Sequence, residues 1–142
     1  MADAKTFMFE ILTLQRLLLQ QPVQFVIAPG QEGVFEILAN HAPYVFALKP
    51  GPLRLHDAAG QDAYFAVGGG FLVVQKERTT VLTRSVERPA DIDVARATRA
   101  KERAEKRLAV GAVPDIDVPR AQAALQRALA RLKVAAYRSS GT

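Results

Sequence analysis

The arginines in the last third of the chain are the residues whose type and spacing could do chemistry. Arg96, Arg99 and Arg103 lie within seven residues of one another, and Arg127 and Arg131 lie four apart. On a helix, such offsets place side chains on one face. Two rows of guanidinium groups suit a polyanion, because guanidinium binds phosphate through paired hydrogen bonds. On spacing alone, however, a solvated charged face is the better interpretation.

The net charge of +5 lies wholly in the same part of the chain. Residues 1–88 hold eight Lys/Arg and eight Asp/Glu, whereas residues 89–142 hold eleven Lys/Arg and six Asp/Glu. An acidic partner is therefore expected to meet the C-terminal part. A nucleic acid is a weaker candidate, because this part has one Tyr and no Phe or Trp on which bases could stack.

The sequence gives little support for metal binding, for a glycine-rich phosphate-binding loop or for catalysis. His41 and His56 are the only histidines, and with no cysteine in the chain they lack metal-ligand spacing. The glycines of "VGGGF" at 67–71 are not followed by the Lys and Ser/Thr of a phosphate-binding loop. Between strands they indicate a bulge or a close backbone approach. We predict a protein without a catalytic site, a metal site or a required cofactor.

Residues 1–88 have the pattern of short strands separated by turns. Segments such as "VQFVIAP" (23–29), "VFEILA" (34–39) and "TTVLTRSV" (79–86) are rich in β-branched and aromatic residues. The connections between them are too short for crossover helices. This pattern predicts an antiparallel sandwich or barrel and makes a parallel sheet improbable.

Residues 89–142 are instead rich in Ala, Arg, Glu and Lys, which favour helix. Gly111 and Pro114 interrupt the helical pattern, and apolar residues recur on one stripe between Val118 and Ala135. We predict two helices in an antiparallel hairpin with an alanine-rich seam. Because such a seam buries little apolar area, the hairpin must dock on another surface and can undock from it.

The phrase "DIDV" occurs twice, at 91–94 and at 115–118. In each copy an Asp precedes a predicted first turn, where its carboxylate can accept backbone N–H groups. Pro119 falls in the first turn of the second helix, where its missing N–H costs little. The repeat therefore predicts two capped helix starts.

Membrane and export signals are weak. No apolar run approaches the roughly 18 residues that span a bilayer. The opening "MADAKTFMFE" lacks the pattern of a leader peptide. We expect a protein of the bacterial cytoplasm or of a cytoplasmic membrane face.

Several phrases together resemble one family. "APGQEG", "ILANHAP", "ALKPGPLRL", "YFAVGGGFLVVQ" and "TVLTRSVERPADIDVARA" occur in that order. In them the chain resembles the epsilon subunit of bacterial F-type ATP synthases. The resemblance implies an N-terminal antiparallel β-sandwich of about ten strands at 1–88 and a C-terminal antiparallel two-helix hairpin at 89–142.

The same resemblance implies a non-catalytic rotor subunit of the central stalk. Its sandwich would bind the gamma subunit and the ring of c subunits. Its hairpin would fold against the sandwich, or extend towards acidic segments of the catalytic beta subunits and restrain ATP hydrolysis. Such a subunit is monomeric when isolated and binds no nucleic acid. It meets the membrane only through the complex, on the cytoplasmic face of the inner membrane.

Several bacterial members of that family bind regulatory ATP at the start of the first helix, and binding favours the folded hairpin. The family motif there is Ile/Leu-Asp-x-x-Arg-Ala, and further arginines come from both helices. The matching candidate ATP-binding residues are Glu87, Ile92, Asp93, Arg96, Ala97, Arg103, Arg127 and Arg131.

The candidate subunit contacts are Val34, Glu36 and His41, and here the chain departs from the family. Val34 stands where an acidic ring-contact residue is common, and Glu36 where Gly is common. Ala39-Asn40 replaces the usual Pro-Gly before His41. We expect a more apolar, differently shaped surface towards the c ring.

Two other classes of function stay open on the residues alone. One is a free nucleotide-sensing module, and the other is a basic nucleic-acid-binding adaptor. Co-purification with the gamma and catalytic subunits separates the rotor subunit from both.

Overall fold

The computed structural model describes residues 5–111 and 113–138, a β domain followed by two helices. Three of its strands are 14 residues long, and the others have six residues or fewer. The strands are β1 (Phe7–Leu12), β2 (Leu17–Gly30), β3 (Gly33–Leu38), β4 (Tyr44–Asp57), β5 (Asp62–Gln75), β6 (Arg78–Leu82) and β7 (Val86–Glu87).

The strands close into a sandwich because β1 pairs on both of its sides. Their order is β1-β6-β5-β4-β2-β3, β7 pairs with β5, and a further β1–β2 pairing closes the path, with β3 on the outer side of β2. Among the described strands, every pairing is antiparallel except β1 with β6. Those two strands are separated by most of the domain, so their parallel pairing needs no short crossover. The predicted antiparallel sandwich is confirmed.

The described residues form seven strands rather than about ten, because long strands run through what the sequence presents as two. β5 passes without a break through the triple glycine. Its first half pairs with β7 and its second half with β6, while β4 runs along both. In the same way, β2 continues through Pro22. The glycines and the proline thus lie within these strands, where they allow a bend, and do not mark the strand ends.

The triple glycine lies where β5 meets the segment that follows β6. A Cβ on Gly68 would collide with the Ser85 hydroxyl, and one on Gly70 with the carbonyl oxygen of Leu82. The Thr83 hydroxyl donates to the carbonyl oxygen of Gly69 at 2.6 Å. The predicted close backbone approach is therefore confirmed, and it brings the chain towards β7 and the helices.

Two helices follow a 3-10 turn at Pro89–Asp91: α1 (Val94–Val110) and α2 (Val118–Ala135). The Asp93 carboxylate accepts from the backbone N–H of Arg96 at 3.0 Å. The Asp117 carboxylate accepts from the backbone N–H of Arg120 at 3.1 Å. The repeated phrase thus does form two capped helix starts, with Pro119 in the first turn of α2.

The hairpin is folded against the sandwich, and α2 packs on β4 and β5. Alanines form the predicted seam: Ala97 and Ala104 of α1, and Ala121 and Ala128 of α2, are buried. Beneath α2, Ile92 and Val134 bury against Ala66 of β5. This contact is small beside the sandwich core.

Gly70→Ala is expected to destabilise the sandwich by more than about 2 kcal/mol, because it adds a backbone clash to a positive φ of 118°. Gly60 is the matched control. Its φ is also positive, at 86°, but its Cβ would meet open space. Gly60→Ala should therefore cost only about 1 kcal/mol of strain. Urea unfolding followed by circular dichroism measures both, and equal losses would contradict the close approach at Gly70.

Candidate functional site

The candidate site lies where the hairpin meets the end of the sandwich. Glu87, in the short strand β7, faces Arg131 of α2, and Arg131 Nε donates to Glu87 Oε1 at 2.5 Å. Arg127 lies one helical turn before Arg131. With Ser85 and Gly68, these three residues line a cavity of about 10 Å³. That volume is room for one water molecule. In this arrangement, the Glu87 carboxylate is paired with the Arg131 guanidinium, which is the group that would bind a phosphate.

Three residues of the candidate nucleotide motif have structural contacts of their own. Ile92 is buried against Ala66 and Val134. Asp93 caps α1, and Ala97 is buried in the seam between the helices. The folded hairpin alone thus accounts for their residue types.

Arg96 and Arg103 are exposed on α1. Within the described part of the chain, their side chains form no ion pair or hydrogen bond. The structure therefore brings Glu87, Arg127 and Arg131 together, and leaves the other two arginines as charges that face solvent.

The candidate subunit contacts lie on and after strand β3. Val34 is 73% exposed, and Glu36 points to the same side of the strand, two residues on. His41 follows in the loop, and its ring packs at a steep angle to that of Phe46, with ring centroids 5.9 Å apart. Phe46 in turn stacks on Phe35 of β3, with ring centroids 4.0 Å apart.

An exposed apolar surface beside these residues escaped the sequence reasoning. Tyr44 is 60% and Val45 57% exposed, at the start of β4. With Val34, Phe35 and Phe46 they line a groove of about 390 Å³, which we call the β3–β4 face. The run "YVF" of aromatic and β-branched residues predicts a strand, but it does not indicate that these side chains are exposed.

His56 belongs to a charged cluster at the β4–β5 turn. Its Nδ1 lies 2.7 Å from Asp62 Oδ1, and Arg54 donates to Asp62 Oδ2 at 3.0 Å. The hydrogen bond with His56, followed by that from Arg54, lowers the pKa of Asp62 below its ordinary 3.8. The bond to Asp62 raises the pKa of Arg54. His56 also stacks on Phe25, with ring centroids 4.7 Å apart. Its contacts are thus with residues of the sandwich itself, which gives it a structural role.

Neither a metal cluster nor a membrane span is found within residues 5–111 and 113–138. No three His, Asp or Glu side chains there are grouped to hold a metal ion. No helix in the same ranges is long and apolar enough to cross a membrane.

Family models match both parts of the chain. The model described as ATP synthase, Delta/Epsilon chain, beta-sandwich domain matches residues 6–89. The model described as ATP synthase, Delta/Epsilon chain, long alpha-helix domain matches residues 90–136. The chain belongs to the ATP synthase delta/epsilon chain family. The resemblance read from its phrases is therefore confirmed.

Curated members of the delta/epsilon chain family are similar over most of their length. An ATP synthase epsilon chain of Syntrophomonas wolfei is 49% identical over 105 residues, which cover 74% of this chain and 77% of the relative. One from Pelotomaculum thermopropionicum is 47% identical, over 74% of this chain and 78% of the relative.

Solved structures share the fold at lower identity. A chain of the Euglena gracilis mitochondrial ATP synthase has a TM-score of 0.80 at 22% identity, covering 93% of this chain and 82% of its own. A chain from the Tetrahymena thermophila mitochondrial ATP synthase central stalk and c ring has a TM-score of 0.62 at 14% identity, covering 98% and 100%.

Proposed function

We propose that the chain is the epsilon-type rotor subunit of a bacterial F-type ATP synthase and has no catalytic site of its own. One observation carries the proposal: both domains match the delta/epsilon family, in the family's order, within one chain. Residues 1–88 are the rotor-contact domain, and residues 89–142 are the regulatory hairpin. The subunit acts at the cytoplasmic face of the inner membrane, held there by its partners.

The β3–β4 face is the surface that we propose for the gamma subunit and the c ring. Its exposed apolar side chains, Val34, Tyr44 and Val45, form a patch of the kind that marks protein contacts. Glu36 and His41 lie at its border. An apolar residue at position 34 replaces the acidic one common in the family, so the matching surface of the c ring should be correspondingly apolar.

Tagged full-length chain is expected to co-purify the gamma, catalytic and c subunits at moderate salt. Val34→Lys should reduce recovery of the c subunit roughly tenfold, because it places a charge at an apolar contact. Leu14→Lys is the control. Leu14 is 88% exposed and lies in the turn before β2, whereas Val34 lies beside the other end of that strand. Recovery of none of these subunits with wild-type chain would contradict the rotor proposal. It would favour a free nucleotide sensor or a nucleic-acid adaptor.

The hairpin supplies a brake on ATP hydrolysis in this proposal. Arg96, Arg99, Arg103 and Arg107 are exposed on α1. The helix carries six Lys/Arg against two Glu, and such an excess of positive charge suits an acidic partner. Acidic segments of the catalytic beta subunits are the partner that the family implies. The hairpin can reach them only after it leaves the sandwich.

Deleting residues 89–142 should leave assembly intact and raise the ATPase activity of the reconstituted enzyme about two- to tenfold, because the restraint has a modest coupling energy. The sandwich should survive the deletion, since its buried core lies within β1–β6. Co-purification of the shortened chain is the control for assembly. Unchanged hydrolysis by an enzyme that contains the shortened chain would eliminate the brake.

Regulatory ATP is the ligand that we propose for the arginines at the hinge. Arg127 and Arg131 already lie together beside Glu87, and Arg96 and Arg103 are available from α1. The match to the family's nucleotide motif supports the proposal. The cavity among Glu87, Arg127 and Arg131 has room for only one water molecule, so nucleotide must bind in a different arrangement of these side chains.

Calorimetry with the isolated chain tests this site. Arg96→Ala is expected to weaken ATP binding roughly tenfold or more, because it removes a charge-assisted bond to phosphate. Arg107→Ala, an exposed arginine on the same helix outside the motif, should bind ATP as the wild type does. Absence of heat from wild-type chain at millimolar ATP would rule the site out.

A further inference from the structure

We propose that Tyr137 and Arg138, directly after α2, form a latch that holds the hairpin folded by fixing the linker at residues 89–92. The latch would control when the hairpin can act as a regulator. Its effect on the enzyme therefore rests on the regulatory role proposed above. The latch itself is a property of the isolated chain.

The guanidinium group of Arg138 binds backbone carbonyls of the linker. Its Nη2 donates to the carbonyl oxygen of Pro89 at 2.8 Å and to that of Ile92 at 2.6 Å, and its Nε donates to Pro89 at 3.2 Å. Both carbonyls belong to the 3-10 turn and its cap. A fork of fixed donors can bridge two carbonyls in this way, whereas the ammonium of a Lys is a point charge. The shape of the linker thus depends on a residue more than forty positions further along the chain.

Tyr137 fixes the same end of α2 to the sheet. Its ring stacks on Tyr64 of β5, with centroids 3.7 Å apart and planes 4° from parallel. Tyr137 is nevertheless 52% exposed. One face of the ring thus lies against Tyr64 while about half of the residue stays exposed, so the contact adds modest stability that can be lost on release.

The latch acts on the segment that must change when the hairpin leaves. The linker joins β7 to α1, and Ile92 within it is buried against Ala66 and Val134. Rotation of α1 away from the sandwich must alter the backbone of residues 89–92. While Arg138 holds the Pro89 and Ile92 carbonyls, that rotation breaks its hydrogen bonds as well. Release of the end of α2 therefore comes before, or together with, opening of the linker.

Charged groups around the latch belong to the sandwich and the linker. Arg88 and Asp62 line the same cleft as Tyr137 and Arg138. The described contacts of Asp62 are with His56 and Arg54, and Arg88 lies over the ring of Phe65. Arg138 bonds to carbonyls rather than to a carboxylate. The latch is therefore expected to respond weakly to salt, unlike the partly exposed ion pair of Arg131 and Glu87.

Amide hydrogen exchange of the full-length chain tests the latch. Arg138→Gln and Tyr137→Ala should each accelerate exchange across α2 about tenfold, which is the effect of losing one or two such contacts. Amides of β1, β2 and β6 should exchange at wild-type rates, because the sandwich has its own core. Tyr137→Phe keeps the stack and should keep wild-type protection of α2. Arg120→Gln removes an exposed arginine at the other end of α2 and is the matched control.

Two results would overturn the latch. One is unchanged α2 exchange in the double variant Tyr137→Ala/Arg138→Gln. The other is equal acceleration in α2 and in the sandwich, which would make the two residues part of the general stability of the fold. Neither result bears on the rotor proposal, which is tested by co-purification. Failure to co-purify would likewise leave the exchange result standing.

Discussion

The position of the hairpin depends on a small apolar contact beneath α2. Ile92, Val134 and Ala66 bury against one another there, whereas the sandwich core contains side chains as large as Phe9 and Phe65. Hydrophobic stabilisation follows buried apolar area, at about 25 cal/mol per Å². The sandwich is therefore stable by itself, while docking of the hairpin is marginal. Further stabilisation comes from the packing of α2 on β4 and from polar contacts at the edges of the interface.

Those polar contacts are of a kind that a partner can replace. The Arg131–Glu87 pair is partly exposed, and exposed pairs contribute only about 0–1 kcal/mol. The seam between α1 and α2 consists of alanines, so the two helices also bury little against each other. On α1, six Lys/Arg outnumber two Glu, so its exposed arginines keep a net repulsion. An acidic surface elsewhere would relieve that repulsion, and a difference in affinity of a few kcal/mol is enough to shift a two-state equilibrium.

Local features of this fold were predictable from the sequence, and contacts between distant residues were not. The caps at Asp93 and Asp117 followed from the residue type and from the helix that begins at the next residue. The continuity of β5 through its glycines did not, because glycine marks bends and ends alike. The stack of Tyr64 on Tyr137 joins residues 73 positions apart, and no periodicity records such a pair. The β3–β4 face was predicted only in part, through Val34, whereas its contributions from Tyr44 and Val45 were not predicted.

The contact between Glu87 and Arg131 gives the nucleotide hypothesis a physical condition. A carboxylate and a polyphosphate compete for the same guanidinium, and the two anions repel each other. Small-molecule sites occupy roughly 300–1,000 Å³, whereas the cavity beside this pair holds about 10 Å³. Nucleotide can therefore use Arg131 only after the side chain turns away from Glu87. The free energy needed to break the Glu87–Arg131 pair is subtracted from the free energy of nucleotide binding. By linkage, a bound nucleotide weakens the pair to the same degree. A second folded arrangement, with phosphate in place of the carboxylate, satisfies both conditions.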